Sequence, residues 1–276
     1  MKIIIPMAGL GTRFANAADK NPLYKIPKPF IPVRDIPMVR WATGSLPFIE
    51  HPGETVLGDR KVSPRDLIFV ILKEHDDRHA LAAGLREIYG DDITVITLPA
   101  VTRGASETAL QAKPHIDPSE ELIISDSDHH FDGTELERMI HETGENVAGI
   151  IPVFTPFADG IPKWSYTLTA EGGTRAKQVA EKDRTLMEAG AYANIGAYYF
   201  RKAQHFFDVA EEALATGDMT GEGTKREFYI APLYQRMIEK GLEVHAAPLK
   251  EVWGLGTPDD LERFLATTDF THPRKN

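Results

Sequence analysis

Cysteine is absent from the 276 residues. That absence excludes disulfides, thiolate zinc sites and cysteine nucleophiles, fits a reducing compartment, and leaves only oxygen or imidazole to hold a metal. Long apolar runs are missing too. No stretch approaches the roughly 18 apolar residues of a membrane span, and the apolar start at residues 1–5 meets Pro6, Gly9 and Gly11 before it is long enough for a signal-peptide core. A cytoplasmic protein with no membrane partner is expected. Positive charge is in deficit: 31 Lys and Arg stand against 41 Asp and Glu, a formal net charge of −10. A surface this acidic repels a phosphate backbone, so nucleic acid is not an expected partner. The sequence also has no internal repeat and no low-complexity tract.

What is present is ordinary for a globular protein: 42% hydrophobic and 26% charged residues, enough chain for one large domain or two small ones. Short apolar runs at 2–6, 66–72, 93–97, 121–125 and 146–153 read as buried strands, and helical spacing separates them at 38–46, 76–89, 106–112 and 133–141. Strands alternating with helices predict an α/β protein with a mostly parallel sheet covered on both faces, whose ligands sit beyond the carboxyl ends of the strands. The second half differs. Residues 164–169, 175–181 and 192–200 read as consecutive strands joined by turns such as Glu171-Gly172-Gly173. Helices at 201–215 and 227–240 follow, then strands at 242–247 and near Val252, and a helix over 258–266. That last helix has a strong start, with Thr257 as N-cap, Pro258 at its first position and two acids in its first turn. Five of the 19 prolines lie between Pro22 and Pro37, which predicts an extended loop. A second loop is expected over 46–64, and residues 271–276 are expected to fray.

Local charge departs from the average. Between Arg13 and Arg40 lie Lys20, Lys25, Lys28 and Arg34 against only Asp19 and Asp35. A basic segment beside a glycine turn suits an anionic small molecule. The turn is Met7-Ala8-Gly9-Leu10-Gly11-Thr12-Arg13-Phe14. Its glycines let successive N–H groups aim at one anion, and Arg13 adds a forked donor for phosphate oxygens. Phe14 at the third glycine position excludes the dinucleotide fingerprint, and the lack of Gly-Lys-Ser/Thr excludes a Walker loop. Two glycines alone fit a plain strand-to-helix turn equally well. Downstream, the prolines of Lys28-Pro29-Phe30-Ile31-Pro32-Val33 hold the backbone extended and fix the direction of Lys28; by itself Lys28 also reads as a solvated loop lysine. After strand 121–125 comes Asp126-Ser127-Asp128-His129-His130. Carboxylates at the end of a parallel strand beside a phosphate site suit Mg²⁺, a hard cation that keeps waters and bridges phosphate oxygens. They also suit an Asx-rich turn capping the next helix. One of His129 and His130 is expected to line the site as a hydrogen-bond donor.

Together, Gly-x-Gly-Thr-Arg at 9–13 and Lys-Pro-x-x-Pro-Val at 28–33 resemble the opening signature of the sugar-phosphate nucleotidylyltransferase family. The resemblance implies a three-layer αβα Rossmann-like core with a mixed, mostly parallel central sheet. It implies a reaction that joins a nucleoside triphosphate to a phosphorylated acceptor and releases pyrophosphate. It also implies a single domain over 1–276, with 1–150 as the nucleotide- and metal-binding half, 151–270 as the acceptor-binding half, and no C-terminal hexapeptide-repeat domain. Arg13, Lys28 and Asp128 are then the implied catalytic residues, while Ala8, Gly9, Leu10, Gly11 and Thr12 join Arg13 in holding the nucleotide. Arg103-Gly104-Ala105-Ser106-Glu107 resembles the family's second nucleotide loop, which adds Gly104 and Ala105. The family's metal-binding Asp matches Asp128, with Asp126 two residues earlier and Mg²⁺ as the implied cofactor. Val179-Ala180-Glu181-Lys182 resembles the pair in which Glu binds an acceptor hydroxyl and Lys the acceptor phosphate; Asn194-Ile195-Gly196 resembles the Asn-x-Gly acceptor stretch. Without that resemblance the first is a surface ion pair and the second an ordinary strand.

Three departures leave alternatives open. The Gln that precedes the family's second loop is missing, its slot falling at Leu98 or Pro99, so the base is not specified. Asp183 stands where a Pro usually follows Glu-Lys. In Val252-Trp253-Gly254-Leu255-Gly256-Thr257, which resembles the family's Trp-x-Asp-x-Gly-Thr closing motif, Gly254 takes the place of the second metal-binding Asp. Either Asp128 and Asp126 hold the ion with water and phosphate oxygens, or Glu251 reaches in, or catalysis is lost. The expected function is accordingly a nucleotidylyltransferase acting on a sugar 1-phosphate or similar acceptor. The alternatives are a CTP-dependent cytidylyltransferase acting on a phosphocholine-like phosphate and a non-catalytic nucleotide-binding regulator. A glycosyltransferase would share Asp126-Ser127-Asp128 but would not require Gly-x-Gly-Thr-Arg with Lys28. The expected partners are an NTP and a small phosphorylated acceptor, and a homo-oligomer is compatible with the sequence.

Overall fold

A computed structural model of the protein describes residues 1–52, 56, 60–156, 160–221 and 226–267. The segment expected to fray, 271–276, and part of the loop expected over 46–64 lie outside the described residues. The chain divides into two compact units, neither of them continuous in sequence. One holds the described residues of 3–101, 125–134 and 251–267; the other holds those of 1–2, 102–124 and 135–250. Among the described residues no helix is long and apolar enough to cross a membrane.

In the first unit the β-branched runs become parallel strands. Lys2–Met7 pairs with Leu67–Leu72, Ile3 opposite Leu67 and Met7 opposite Ile71, and Leu67–Leu72 pairs in turn with Thr94–Leu98. Leu67–Leu72 is buried at every position, as a continuous apolar run covered on both faces must be. The helix expected over 76–89 is two helices, Lys73–His79 and Leu81–Tyr89, parted at Ala80, which has φ +51°. Asp76 causes the break: its carboxylate accepts the Ala82 amide at 2.8 Å and so caps the second helix. The proline-rich stretch is not a featureless loop. Pro22–Lys25 and Lys28–Phe30 are short 3₁₀ turns, and Pro32–Val33 pairs with Ile36–Pro37 as a small hairpin. A proline in the first turn loses no hydrogen bond, and its fixed φ suits such turns.

One core joins the segments of this unit that carry the motifs. Phe14 from the glycine turn, Tyr24, Ile31 and Val33 from the proline-rich stretch, Met38 and Trp41, and Leu255, Leu261 and Phe264 from the closing segment are all buried together. Phe14 and Tyr24 meet edge to face at 5.0 Å, Trp41 and Phe264 at 5.1 Å. The Trp41 indole donates to the Val33 carbonyl at 2.8 Å. The helix over Pro258–Ala266 starts as expected, the Thr257 hydroxyl accepting the Asp260 amide at 3.1 Å.

The second unit is built on a mixed sheet. Val147–Phe154 pairs antiparallel with Tyr192–Asn194 and Ala197–Phe200 and in parallel with Glu243–Pro248. Ser165–Thr169 pairs antiparallel with Ala176–Glu181 and with Tyr192–Asn194. The strand expected over 192–200 is interrupted at Gly196, which has φ +93°. Helix Ala231–Glu239 packs on Ala176–Glu181 and Glu243–Pro248, and helix Ala203–Thr216 packs on it. The buried Tyr234 hydroxyl donates to the Tyr199 carbonyl at 2.7 Å and so pins that helix to the sheet.

Candidate functional site

The first unit gathers the glycine turn, Lys28, the acidic loop and the closing segment. Strand Lys2–Met7 ends in Ala8, which is buried, while Gly9, Leu10, Thr12 and Arg13 are exposed. Gly11, with φ +65°, begins the one-turn helix Thr12–Ala15 whose Phe14 sits in the shared core. A Cβ at Gly11 would stand 3.6 Å from the Lys28 Cβ, so the turn lies against that lysine. The 3₁₀ turn Lys28–Phe30, closed by the Ile31 amide on the Lys28 carbonyl at 3.1 Å, holds the lysine in place.

Lys28 Nζ donates to Asp128 Oδ2 at 2.7 Å, with the side chains 26% and 19% exposed. Burial pushes the Asp128 carboxyl up, but the charge and hydrogen bond of Lys28 together with the charges of His129 and Arg13 outweigh it and hold it below the usual carboxylate range. Asp128 is therefore ionised at neutral pH. Strand Val252–Gly254 runs antiparallel to His129–Phe131, Gly254 opposite His129, and the Leu255 amide donates to the Asp128 carbonyl at 2.8 Å. Gly256 then passes directly over the carboxylate. A Cβ there would stand 2.5 Å from Asp128 Oδ2 and 3.9 Å from Arg13 Nη1, so a side chain at this position would have to displace the carboxylate. Gly256 was not among the sequence candidates, although it stands in the closing motif that pointed to the site.

Gly254 lies beside the acidic loop but offers no side chain. The Glu251 carboxylate accepts the Trp253 indole at 3.0 Å, and its carbonyl accepts the Asp132 amide at 3.2 Å, at the far end of the ribbon from Asp128. Among the described residues no three His, Asp or Glu side chains converge as a metal site. Asp128 is ionised, and its Oδ1 has no donor among the described residues. Its donor chemistry fits Mg²⁺ in the form that uses one or two carboxylates and completes the shell with water and substrate phosphates. Both histidines are buried: His130 meets Trp41 edge to face at 5.1 Å, and His129 Nε2 lies 3.2 Å from Ser125 Oγ.

The second unit holds the other candidates. Gly104, with φ +150°, opens helix Ala105–Leu110. The segment 226–230 is laced to this loop: Phe228 N–H donates to the Arg103 carbonyl at 3.0 Å, Ser106 N–H to the Phe228 carbonyl at 2.9 Å, and Ser106 Oγ to the Tyr229 carbonyl at 2.7 Å.

Glu181 ends strand Ala176–Glu181, opposite Ser165. Its side chain is 9% exposed, and burial pushes its carboxyl up to about 6, an effect the neighbouring Lys182 offsets only in part. The native state thus binds this proton more tightly than the unfolded chain, and stability falls as pH rises from the ordinary Glu value to about 6. Glu181→Gln removes that cost. It should raise stability at pH 8 by about 2 kcal/mol at most and leave it unchanged near pH 4, as read by urea unfolding at the two pH values; equal shifts at both would overturn the assignment. Lys182 Nζ lies 3.7 Å from Glu181 Oε1 and donates to the Tyr229 hydroxyl at 3.1 Å. Asp183 accepts the Leu186 amide at 2.8 Å and caps helix Arg184–Glu188, an element the sequence reading missed. Asn194 is buried; its Oδ1 accepts from Thr167 Oγ1 at 2.7 Å, and its Nδ2 has no acceptor among the described residues. A buried amide donor left open on the same unit as Glu181 suits a polar ligand atom. Gly196 follows two residues later.

No protein-family model matches the sequence, and no curated protein matches it. Solved structures do. A nucleoside-diphosphate-sugar pyrophosphorylase from Vibrio cholerae RC9 is 23% identical with a TM-score of 0.73, over 96% of this chain and 100% of that one. The inositol-1-phosphate CTP transferase from T. maritima is 14% identical with a TM-score of 0.66, over 98% of each chain. The UTP-bound UGPase from Acinetobacter baumannii is 17% identical with a TM-score of 0.66, over 96% of this chain and 91% of that one. The match over nearly the whole chain bears out the expected architecture: this protein has a mixed-sheet α/β fold shared with these solved structures.

Proposed function

We propose that the protein is a nucleotidylyltransferase that joins a nucleoside triphosphate to a phosphorylated acceptor and releases pyrophosphate. The observation that carries this reading is the cluster of Gly11, Arg13, Lys28, Asp128 and Gly256. Five residues from four separate stretches of sequence meet there as two cations and one ionised carboxylate beside a glycine turn. The fold neighbours, one named a nucleoside-diphosphate-sugar pyrophosphorylase and one a UTP-bound UGPase, support the same reading.

The chemistry asks the protein to position two anions and neutralise charge. Arg13 and the amides of the glycine turn hold the leaving pyrophosphate. Lys28 steadies the triphosphate while its 2.7 Å bond to Asp128 keeps it aimed. Asp128, with Asp126, would hold Mg²⁺, which when bound supplies positive charge to the phosphate oxygens. Lys182 holds the acceptor phosphate, and Glu181 and Asn194 take acceptor hydroxyls. A phosphate oxygen of the acceptor attacks the α-phosphorus of the triphosphate, a P–O bond forms, and pyrophosphate leaves with the electrons of the broken P–O bond. An acceptor phosphate is already ionised, so no general base is required.

A sugar 1-phosphate or another polyhydroxy phosphate is the acceptor best matched to Glu181 and Asn194. A cytidylyltransferase is the second reading, favoured by the CTP transferase of the same fold. The test is pyrophosphate release with Mg²⁺ from a panel of triphosphates and phosphorylated acceptors. Release with a sugar phosphate supports the first reading, release only with CTP and a non-sugar phosphate the second, and no release under any pairing overturns both. With an active pair in hand, Asp128→Asn should raise the half-saturating Mg²⁺ concentration by at least about tenfold; an unchanged Mg²⁺ titration removes Asp128 from the metal site.

A further inference from the structure

We propose that Tyr229 is the positioning residue for Lys182, holding the ammonium group where an acceptor phosphate binds. The inference rests on the role given to Lys182 above, but the contacts that carry it are independent of that role. Lys182 has φ +52°, a left-handed conformation that a residue with a Cβ seldom adopts, fixed by its amide on the Trp164 carbonyl at 2.8 Å. Backbone held in such a region persists only where its surroundings impose it, and it gathers at functional sites. From that backbone the side chain reaches Tyr229 twice. Nζ donates to the phenol oxygen at 3.1 Å and lies 5.0 Å from the ring centroid.

The hydrogen bond fixes direction, and the ring face attracts the cation without neutralising it. The neighbouring carboxylate, Glu181, is farther away at 3.7 Å, so the bond that sets the direction of the ammonium group is the one to Tyr229. The groups facing Lys182 are therefore Tyr229, Glu181 and Glu227. Burial pulls the lysine pKa down, but the Tyr229 bond and the charges of Glu181 and Glu227 outweigh it and hold the amine above its ordinary value. Tyr229 is itself anchored, since its carbonyl accepts Ser106 Oγ at 2.7 Å from the loop that Gly104 opens. The lysine is thereby tied to the candidate nucleotide loop by a contact between positions 47 apart in the sequence.

The test compares wild type, Tyr229→Phe and Tyr229→Leu by the rate at which trinitrobenzenesulfonate labels Lys182 at pH 9, read by peptide mass mapping, with and without inorganic phosphate. Tyr229→Phe loses the hydroxyl and keeps the ring; Tyr229→Leu loses both. Each unit by which the pKa falls exposes up to about tenfold more free amine below the pKa. Labelling of Lys182 should therefore rise in the order wild type, Phe, Leu, by about threefold and then about tenfold, with Lys73 unchanged as internal reference. Equal Lys182 rates in all three proteins overturn the proposal. Phosphate should slow labelling in wild type and protect less in the variants. A lack of protection in wild type counts against the acceptor-phosphate role of Lys182 and leaves the labelling order to decide the role of Tyr229. Given an active substrate pair, the variants should raise the acceptor KM and leave the triphosphate KM in place; a fall in kcat with both KM values unchanged overturns the positioning role.

Discussion

Lys28→Ala is expected to lower turnover by about 10²–10³-fold, roughly 3–4 kcal/mol of transition-state stabilisation, the scale on which one preorganised donor acts in a water-poor site. Arg13→Ala should fall in the same range. The two differ in stability. Arg13 is exposed, so its loss should leave the unfolding midpoint close to wild type. Lys28 is the bonded partner of a carboxylate only 19% exposed, and its removal leaves that carboxylate without its nearest cation, a change that destabilises by about 1–3 kcal/mol. The sign with pH follows. A depressed carboxyl contributes stability above its unfolded pKa, lost as pH falls through the folded value, so Lys28→Ala should cost most at neutral pH and least at the acid end. Urea unfolding at pH 7 and at the lowest pH where the protein stays folded reads this directly. Near-normal turnover in either variant removes the triphosphate from this site.

Gly104→Ala is expected to be strongly damaging in the candidate nucleotide loop. A Cβ at Gly104 would stand 2.5 Å from Phe228 N and 2.6 Å from Phe228 O. Both are backbone atoms, and both are already committed to the hydrogen bonds with Arg103 and Ser106, so neither can yield as a side chain would. The φ of +150° adds strain. A loss of about 2–4 kcal/mol follows, with poorer triphosphate and acceptor binding together, because the displaced segment carries Tyr229. Gly144→Ala is the control: its Cβ meets nothing within 4 Å, and a change within about 1 kcal/mol is expected. If the two variants unfold at the same denaturant concentration, the close approach at Gly104 is not what fixes the loop.

The elements legible in the sequence were those with a strong local signal. Leu67–Leu72 and Val147–Phe154 are continuous apolar runs, and Pro258–Ala266 has cap, proline and acids at its start. Elements without such a signal were missed. Arg184–Glu188 is only five residues long, and His129–Phe131 is a three-residue strand that exists because Val252–Gly254 pairs with it. Ala80 breaks a helix that periodicity ran straight through, because a single side chain, Asp76, supplies the competing cap.

The same division holds for the candidate site. Residue type and short spacing sufficed to suggest a phosphate at Gly-x-Gly-Thr-Arg and a metal at Asp126-Ser127-Asp128, whereas Lys28 and Glu181-Lys182 stood out only through the family resemblance. Sequence by itself determined the α/β alternation, the acidic balance with a basic exception, and the exclusion of thiolate metal sites in a chain without cysteine. Tertiary structure alone decided which charges meet. Lys28 and Asp128 are 100 residues apart, Gly256 matters only because the chain passes over Asp128 there, and Tyr229 carries no signal until folding lays it against Lys182. Pairing energies and close approaches depend on distance in space, and between segments far apart in the chain only packing of the core fixes that distance.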